Sequence, residues 1–345
     1  MVRPLRVLIP RGLARFATQS GIGEAIRHQE RVVALLGHEV VTDPRDAFDV
    51  VHLNTPFPDT PLLAAWARVR RRAVLVWAHS TEEDFRDSFT GANHVAPWFR
   101  RWIAGLYRMG DAVVTPTPYA KSLVSQPQYG IRQPIHVLSN GVDTRFFRPD
   151  PTARTRLHER LDLPGDARVV MSVGIQMVRK GILDWVEVAR RMPDVTFVWF
   201  GHTDPRIMTK DVAAAIATAT SNCVWPGYVP QDILREAYCG ADAFCFLTKE
   251  ETEGIVVLEA LACGIPVVVR DIPIYRDWLP DGRVTHMVRG AGGAVVDGTV
   301  ERLTDLFAGR LPDLRSGALE AAQDVDLHRV AQRLQNIYRT LDVPC

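Results

Sequence analysis

Residues 249–282 read KEETEGIVVLEALACGIPVVVRDIPIYRDWLPDG, an acidic loop, a short apolar helix and a β-branched strand in one pass. Glu251 and Glu259 are separated by seven residues, and Gly254 stands where the helix begins. One carboxylate therefore belongs to the loop after the strand AFCFL and the other to the helix itself. Between them the backbone N–H groups of Gly254, Ile255 and Val256 have no preceding turn to bond to. Such a helix start attracts a diphosphate, while carboxylates accept hydrogen bonds from sugar hydroxyls. The segment predicts a nucleotide-sugar site, with Glu259 on the ribose and Glu251 on the transferred sugar. For any single pair, two solvated glutamates flanking a helix are the competing reading.

The surrounding rhythm repeats the loop, helix and strand order. Strands are expected at LRVLIP, FDVVHLN, AVLVWAH, DAVVTPT and IHVLSN, then at RVVMSVG, VTFVWFG, FCFLT and PVVVRD. Helices are expected near 23–36, 60–70, 96–109, 180–191, 207–219, 230–240, 254–263 and 326–341. Short β-branched strands alternating with helices predict parallel sheets covered on both faces, an α/β fold. The rhythm breaks in a Pro- and charge-rich stretch near 148–166, which marks a domain boundary. Residues 1–150 and 151–325 then form two doubly wound domains facing across a cleft, and a helix within 326–345 is free to return to the first.

Two further elements point to the same cleft. In VGIQMVRKGILDW, Gly174 ends a strand and Lys180 precedes a helix, well placed to neutralise charge on a leaving diphosphate. The chain has four lysines against 37 arginines, so a lysine there stands out. In ATQSGIGEAIRHQE (17–30), Gly21 and Gly23 form a glycine turn ahead of an amphipathic helix. A dehydrogenase would place Thr-Gly at positions 16 and 17, which are Phe16 and Ala17, and would need a Tyr-x-x-x-Lys pair that is missing. What survives is an anion-binding backbone turn, with a plain helix-capping turn as its alternative.

Bulk properties set limits. The 345 residues, 47% hydrophobic and 23% charged, suit a soluble two-domain protein. No apolar run approaches a membrane span and no signal peptide is apparent. Five cysteines without metal-type spacing, at 223, 239, 245, 263 and 345, are expected as reduced thiols in the cytoplasm. Residues 1–150 carry 19 Lys+Arg against 14 Asp+Glu, and the remainder 22 against 26, so the first domain favours an anionic surface. Within it, APWFRRWIAGLYRMG (96–110) sets Trp98, Phe99, Trp102, Ile103 and Leu106 on one helical stripe, with Arg100 and Arg101 beside it. An interfacial helix on anionic lipid and ordinary core packing both fit this stripe. Nothing points to nucleic acid.

With these residues in view, the E-x7-E segment, SNGVDTRFFRP (139–149) and the VG…RKG segment resemble retaining glycosyltransferases of family 4, which have the GT-B fold. SGIGEAIRHQE, HLNTPFP, AHSTEEDFRDSF, TPTPYAKSLV and RDIPIYRDWL are similar to the branch that glucosylates diacylglycerol, and the likeness covers nearly the whole chain. The resemblance implies roles. Gly21 and Gly23 would lie near the donor phosphates, His79 near the transferred sugar, Lys180 on the diphosphate and Tyr228, in PGYVP, against the base. Glu251, Gly254, Ile255, Val256 and Glu259 would keep the roles argued above. Two positions depart from the family pattern. Ile175 stands where most members have an arginine, leaving Arg179 or Gln176 to compensate, and Glu253 stands where an aromatic is usual.

The implied chemistry needs no carboxylate nucleophile and no metal. The acceptor hydroxyl attacks from the leaving-group face and a diphosphate oxygen takes its proton. The expected enzyme is a peripheral protein on the inner face of the plasma membrane, moving a hexose from a UDP-hexose to diacylglycerol or a related lipid. A soluble glycosyltransferase with a polysaccharide or small-molecule acceptor, and a nucleotide-sugar-binding protein with impaired catalysis, are the rivals.

Overall fold

The computed structural model describes residues 3–17, 20–276, 278–341 and 343. The thiol expected at Cys345 lies outside them, and the other four cysteines are free. Among the described residues, twelve strands form two sheets. The first contains β1 (Arg6–Leu8), β2 (Glu39–Val41), β3 (Val50–Leu53), β4 (Ala73–Trp77), β5 (Ala112–Thr115) and β6 (Ile135–Val137), in the order β2-β1-β3-β4-β5-β6. The second contains β7 (Arg168–Val173), β8 (Val195–Phe200), β9 (Cys223–Gly227), β10 (Ala243–Phe246), β11 (Val267–Arg270) and β12 (His286–Val288), in the order β12-β11-β10-β7-β8-β9. Every ladder within the two sheets is parallel. The fold is the two-domain α/β arrangement that the rhythm of short strands and helices predicts, laid out as the GT-B fold that the resemblance implies.

Parallel strands need helical crossovers, so both faces of each sheet are covered and the strands are apolar on both sides. In β7, Val169 and Met171 face one core and Val170 faces the other, as a period of two requires. Helices Gln231–Gly240, Ile255–Cys263 and Arg315–Asp324 cover the first of these faces, and Ile182–Arg191 and Gly293–Phe307 the second.

Order reversal positions the site. The chain runs β7, β8, β9 outward and then returns to lay β10 on the other side of β7. The loops after β7 and β10 therefore diverge and leave a crevice at the strands' C-terminal ends. In the first sheet the same reversal falls between β1 and β3.

Helix Leu327–Thr340 buries Leu327, Val330, Ala331, Leu334, Ile337 and Tyr338, spaced at i, i+3, i+4, i+7, i+10 and i+11. This face packs with Leu5, Val7, Val32 and Val33 in the core of the first sheet. Each large side chain so buried contributes roughly 1.5–3 kcal/mol. Where the chain crosses between domains, Val142 N–H donates to Val325 O at 3.1 Å and Leu327 N–H to Val142 O at 3.2 Å.

Three expectations need correction. Gly21 and Gly23 do not form a turn ahead of the helix: the helix is Gly21–Leu35, so both lie in its first turn, capped by the Ser20 hydroxyl accepting from Gly23 N–H at 3.4 Å. Neither glycine adopts a positive φ. The Pro- and charge-rich stretch near 148–166 contains helix Ala153–Leu161, which is absent from the expected helices. Its burial of Ala153, Leu157 and His158 outweighs the charged composition. The stripe on helix Ala92–Tyr107 divides between core and surface. Ile103 and Leu106 are buried, and Phe99 stacks on Phe85 at 4.1 Å, whereas Trp98 is 68% and Trp102 42% exposed. Trp102 Nε1 donates to Pro56 O at 2.6 Å, Arg100 pairs with Glu82 at 2.6 Å, and the Arg101 guanidinium lies 5.0 Å over the Trp98 ring.

Candidate active site

Lys180 and Glu251 come from the two loops that diverge at β7 and β10. Val178–Lys180 is a single tight turn, and Gly181 then adopts φ 78° before helix Ile182–Arg191. A Cβ at Gly181 would sit 2.0 Å from Leu247 O, so only glycine lets the two loops approach this closely. The result is an ion pair: Lys180 Nζ lies 2.5 Å from Glu251 Oε1. Thr248 Oγ1 donates to the same oxygen at 2.9 Å, and Arg179 Nη1 lies 3.6 Å from it. Burial pushes the Lys180 ammonium below its ordinary value, against the opposing pull of Glu251. Burial also raises Glu251, but Lys180 and Arg179 outweigh it and hold the carboxyl below its usual range.

The acidic loop is also tied to the first domain. Thr117 Oγ1, beyond β5, donates to Thr252 O at 2.9 Å, and Thr252 Oγ1 donates to His79 O, beyond β4, at 3.3 Å. Glu253 accepts from Asn140 N–H at 3.0 Å and Asn140 Nδ2 at 2.7 Å. Burial pushes Glu253 up to about 7, despite bonds from Ser139 and Asn140. Arg179 completes the seam, pairing with Asp84 Oδ1 at 2.8 Å and donating its backbone N–H to Asp87 O at 3.1 Å. The strand ends of both sheets thus line one cleft.

Helix Ile255–Cys263 is apolar on all sides except for Glu259, which is itself buried. A carboxyl inside such a helix is costly unless something uses it. Tyr238 OH donates to Glu259 Oε2 at 3.0 Å, and burial, followed by the nearby Glu24, raises Glu259 to about 8. Glu24 reaches this point from the first turn of helix Gly21–Leu35, held by Gln231 Nε2 at 2.6 Å, by His28 Nε2 at 3.1 Å and by Arg27. Burial raises Glu24, but His28 and then Arg27 overcome it and hold it at about 2. Gly21 and Gly23 therefore face the E-x7-E helix across the cleft, through Glu24. No side chain caps the Ile255 end of that helix, and Gly254 sits at φ 86° with Tyr275 OH 2.9 Å from where a Cβ would be.

Gly174, Gly201 and Gly227 close the ends of β7, β8 and β9 in a row: Gly174 N–H donates to Phe200 O at 2.9 Å and Gly201 N–H to Gly227 O at 2.7 Å. Tyr228 follows Gly227 and is 52% exposed. His79 lies two residues past β4, buried, with Nε2 3.0 Å from Asn54 Oδ1; burial lowers it to about 4. The structure thus joins Lys180, Glu251 and the Gly254–Val256 backbone to His79 through Thr252, and Gly21–Glu24 to Glu259. Tyr228 follows the glycine row with its ring half exposed, while Arg100 reaches the Glu82–Phe85 helix that carries Asp84, and Trp98, Arg101 and Trp102 lie on the same helix as Arg100. Sequence reasoning missed Glu24, Asp84, Thr117, Asn140, Thr252 and Tyr275. Glu24 adjoins the glycines, Asp84 lies in AHSTEEDFRDSF, Thr117 in TPTPYAKSLV, Asn140 in SNG, Thr252 in KEETEG and Tyr275 in RDIPIYRDWL, so proximity to motifs marked all six, though nothing in the sequence said which partner each would meet.

A family model described as Glycosyltransferase Family 4 matches residues 7–146, and one described as Glycosyl transferases group 1 matches residues 153–307. The processive diacylglycerol alpha-glucosyltransferase of Acholeplasma laidlawii is 34% identical over 97% of this chain and 98% of its own. The alpha-galactosylglucosyldiacylglycerol synthase of Streptococcus pneumoniae is 27% identical over 74% of this chain and 70% of its own. In fold, sucrose-phosphate synthase from Thermosynechococcus elongatus aligns with a TM-score of 0.77 at 17% identity, covering 98% of this chain and 99% of that one. Anabaena HepE, solved in complex with UDP-glucose, aligns at 0.73 and 16% identity over 98% and 100%.

Proposed function

The chain belongs to glycosyltransferase family 4, and from that premise we propose that it transfers glucose from UDP-glucose to the free hydroxyl of diacylglycerol with retention. The observation that carries this reading is the Lys180–Glu251 pair at the point where the second sheet's strand order reverses. A diphosphate entering there draws the ammonium to itself and leaves Glu251 to accept from hexose hydroxyls. Little water reaches the pair, so each contact is stronger than at a surface. The uncapped N–H groups of helix Ile255–Cys263 take phosphate oxygens. Glu259, protonated near neutral pH, both donates to and accepts from a ribose diol. Tyr228 offers its ring to the base. Arg179, beside the same carboxylate, supplies the cation that Ile175 does not.

The A. laidlawii relative is named for diacylglycerol and for an alpha product. UDP-glucose is itself α-linked, so an α-glucoside keeps its configuration. The bond from the anomeric carbon to the diphosphate oxygen breaks as the bond to the acceptor oxygen forms on the same face. The acceptor proton passes to the departing diphosphate oxygen, and Lys180 stabilises the charge that remains. No metal takes part in this scheme. Residues 1–150 form the acceptor side and 151–325 the nucleotide-sugar side.

No helix among the described residues is long and apolar enough to cross a membrane. Peripheral docking on the inner face of the plasma membrane fits the exposed ridge of Val95, Trp98 and Trp102. The neighbouring helix Asp59–Val69 exposes Leu62 and Val69, at 72% and 78%, together with Trp66. Apolar side chains flanked by arginines suit an anionic bilayer surface.

The test incubates purified protein with a panel of labelled nucleotide-sugars and with diacylglycerol, glycerol or polysaccharide as acceptor. The expected product is α-glucosyl-diacylglycerol, formed from UDP-glucose alone. A β-anomer, or transfer only to soluble acceptors, would overturn the proposal.

A further inference from the structure

A buried chain of polar side chains runs from the cleft to the C-terminal helix, inside the core of the first sheet. His79 Nε2 lies 3.0 Å from Asn54 Oδ1, and Gln29 Nε2 donates to that same oxygen at 2.6 Å. Gln29 Oε1 lies 3.2 Å from His52 Nδ1, and His52 Nε2 lies 2.9 Å from Tyr338 OH. Five elements contribute: the loops after β3 and β4, helix Gly21–Leu35, strand β3 itself and the C-terminal helix Leu327–Thr340. All five side chains are buried. None belongs to the Lys180–Glu251 pair, and Tyr338 is 286 residues from its partner His52.

We propose that Tyr338 is a positioning residue that decides which ring nitrogen of His79 carries the proton, acting through His52, Gln29 and Asn54. The role assigned to that proton rests on the glycosyltransferase reading; the proton's location does not.

The argument is one of donor and acceptor counting. A neutral imidazole carries one N–H, and both amides present one donor end and one acceptor end. Gln29 Nε2 also lies 3.5 Å from His79 Nε2, but donation there would leave His79 Nε2 and Asn54 Oδ1 as two acceptors 3.0 Å apart. The chain is therefore self-consistent in only two senses, with every hydrogen bond pointing one way or every one reversed. In the reverse sense Asn54 donates through Nδ2 to His79 Nε2, His79 carries its proton on Nδ1, and His52 donates to the phenol oxygen. The phenol hydrogen would then have nowhere to go, because Tyr338 OH has no other hydrogen-bond partner among the described residues. A buried hydroxyl hydrogen left unbonded costs about 1–3 kcal/mol. Burial also keeps the phenol protonated, well above its ordinary value, and both histidines neutral.

Tyr338 therefore donates to His52 Nε2. His52 must then donate from Nδ1 to Gln29 Oε1, and Gln29 donates its amide to Asn54 Oδ1. That oxygen is left as an acceptor, so His79 presents Nε2–H to it and keeps a lone pair on Nδ1. The His79 backbone O is at the same time held by Thr252 Oγ1, which joins this residue's main chain to the acidic loop. An unprotonated Nδ1 accepts from a sugar hydroxyl; the other tautomer would donate there. The hydroxyl geometry accepted at His79 is thus set from the last helix of the chain.

The test is long-range ¹H–¹⁵N correlation NMR on protein carrying ¹⁵N-histidine, without donor, at neutral pH. His79→Asn serves to assign the His79 signals. Wild type is expected to show His79 with a pyrrole-like Nε2 and a pyridine-like Nδ1. Tyr338→Phe is expected to move both toward a mixed-tautomer pattern, because either sense of the chain then leaves one unbonded group at His52 Nε2, a lone pair in one sense and an N–H in the other. Gln29→Met cuts the chain in the middle and should do the same if Tyr338→Phe folds poorly. An Nδ1-protonated His79 in wild type, or an unaltered His79 pattern in folded Tyr338→Phe, overturns the inference. In turnover with UDP-glucose, Tyr338→Phe should lower kcat on the order of tenfold at near-constant KM. A tautomer change in protein that transfers no glucose would refute the enzymatic reading and leave Tyr338's control of His79 standing.

Discussion

Arg179, in the turn after β7, and Asp84, in the short helix after β4, come from different domains and meet at 2.8 Å across the cleft, both largely buried. The same guanidinium nitrogen is 3.6 Å from Glu251, so Asp84 draws Arg179 away from the carboxylate that Lys180 occupies. Asp84→Asn should weaken this clasp and leave Arg179 competing with Lys180 for Glu251. The expected outcome is a donor KM raised on the order of tenfold, the worth of one charge-assisted hydrogen bond. Steady-state kinetics measure it, and an unaltered KM would detach the clasp from donor binding.

Lys180→Ala should reduce kcat by about a hundred- to a thousandfold, as expected for removing one preorganised group that stabilises departing charge. KM should move far less, because the ammonium matters most once the bond is breaking. A melting curve run alongside separates this loss from unfolding. Turnover near that of wild type would remove the lysine from the reaction.

Glu253 sets a pH dependence of stability. Its folded value is about 7 against an ordinary 4.5. Between those pH values the native state holds a proton that the unfolded chain has released, so stability falls as pH rises through this window and is level on either side. The loss amounts to on the order of 3 kcal/mol at most. Urea titrations of wild type and Glu253→Gln from pH 4 to 8 check it. The variant should lose part of the downward slope, and parallel slopes would contradict the assignment.

Gly254→Ala meets two obstacles, a φ of 86° and a Tyr275 hydroxyl 2.9 Å from the new methyl group. Together they should destabilise the protein by about 1–3 kcal/mol and displace the helix start that faces the donor. Tyr275→Phe in the same chain removes the oxygen and should restore the steric share alone. Thermal melts of the single and double variants separate the two contributions. No recovery in the double variant would leave backbone strain as the whole cost.

Trp98→Ser with Leu62→Ser should reduce flotation with anionic vesicles about tenfold or more, because two large apolar groups leave the proposed interface. Arg101→Gln should reduce the preference for anionic over neutral vesicles and leave neutral binding nearly unaltered. Equal flotation of wild type and the double-serine variant would assign the ridge to some other contact.

The strands that the rhythm missed share a position. β2, β9 and β12 are all sheet edges, and β2 and β12 are three residues long. An edge strand is paired on one side only and need not be apolar throughout, and β9 even contains Pro226, which a central strand would reject. The helices Gly293–Phe307 and Arg315–Asp324 were hidden by glycines at 290, 292, 293, 298 and 317, whose low helix preference is overridden by packing on the second sheet. Of the candidate site, Lys180, Glu251 and Glu259 stood out in the sequence because Lys180 sits just before a helix, Glu251 on the loop leading to the next and Glu259 within it, each near a glycine. Thr117 to Thr252, and His52 to Tyr338, were not, because residues 135 and 286 positions apart meet only through tertiary folding.

The polypeptide passes between its two halves twice, and the passages are fastened side by side. Val142 bonds to both Val325 and Leu327, and Thr144 Oγ1 donates to Asp326 Oδ2 at 2.6 Å. Two parallel straps restrain swivelling and sideways slip far more than a single tether would, and favour opening along one arc, like a door on paired pins. Cutting the gene after residue 150 would therefore leave an N-terminal fragment with a bared face where Leu334 and Tyr338 had rested.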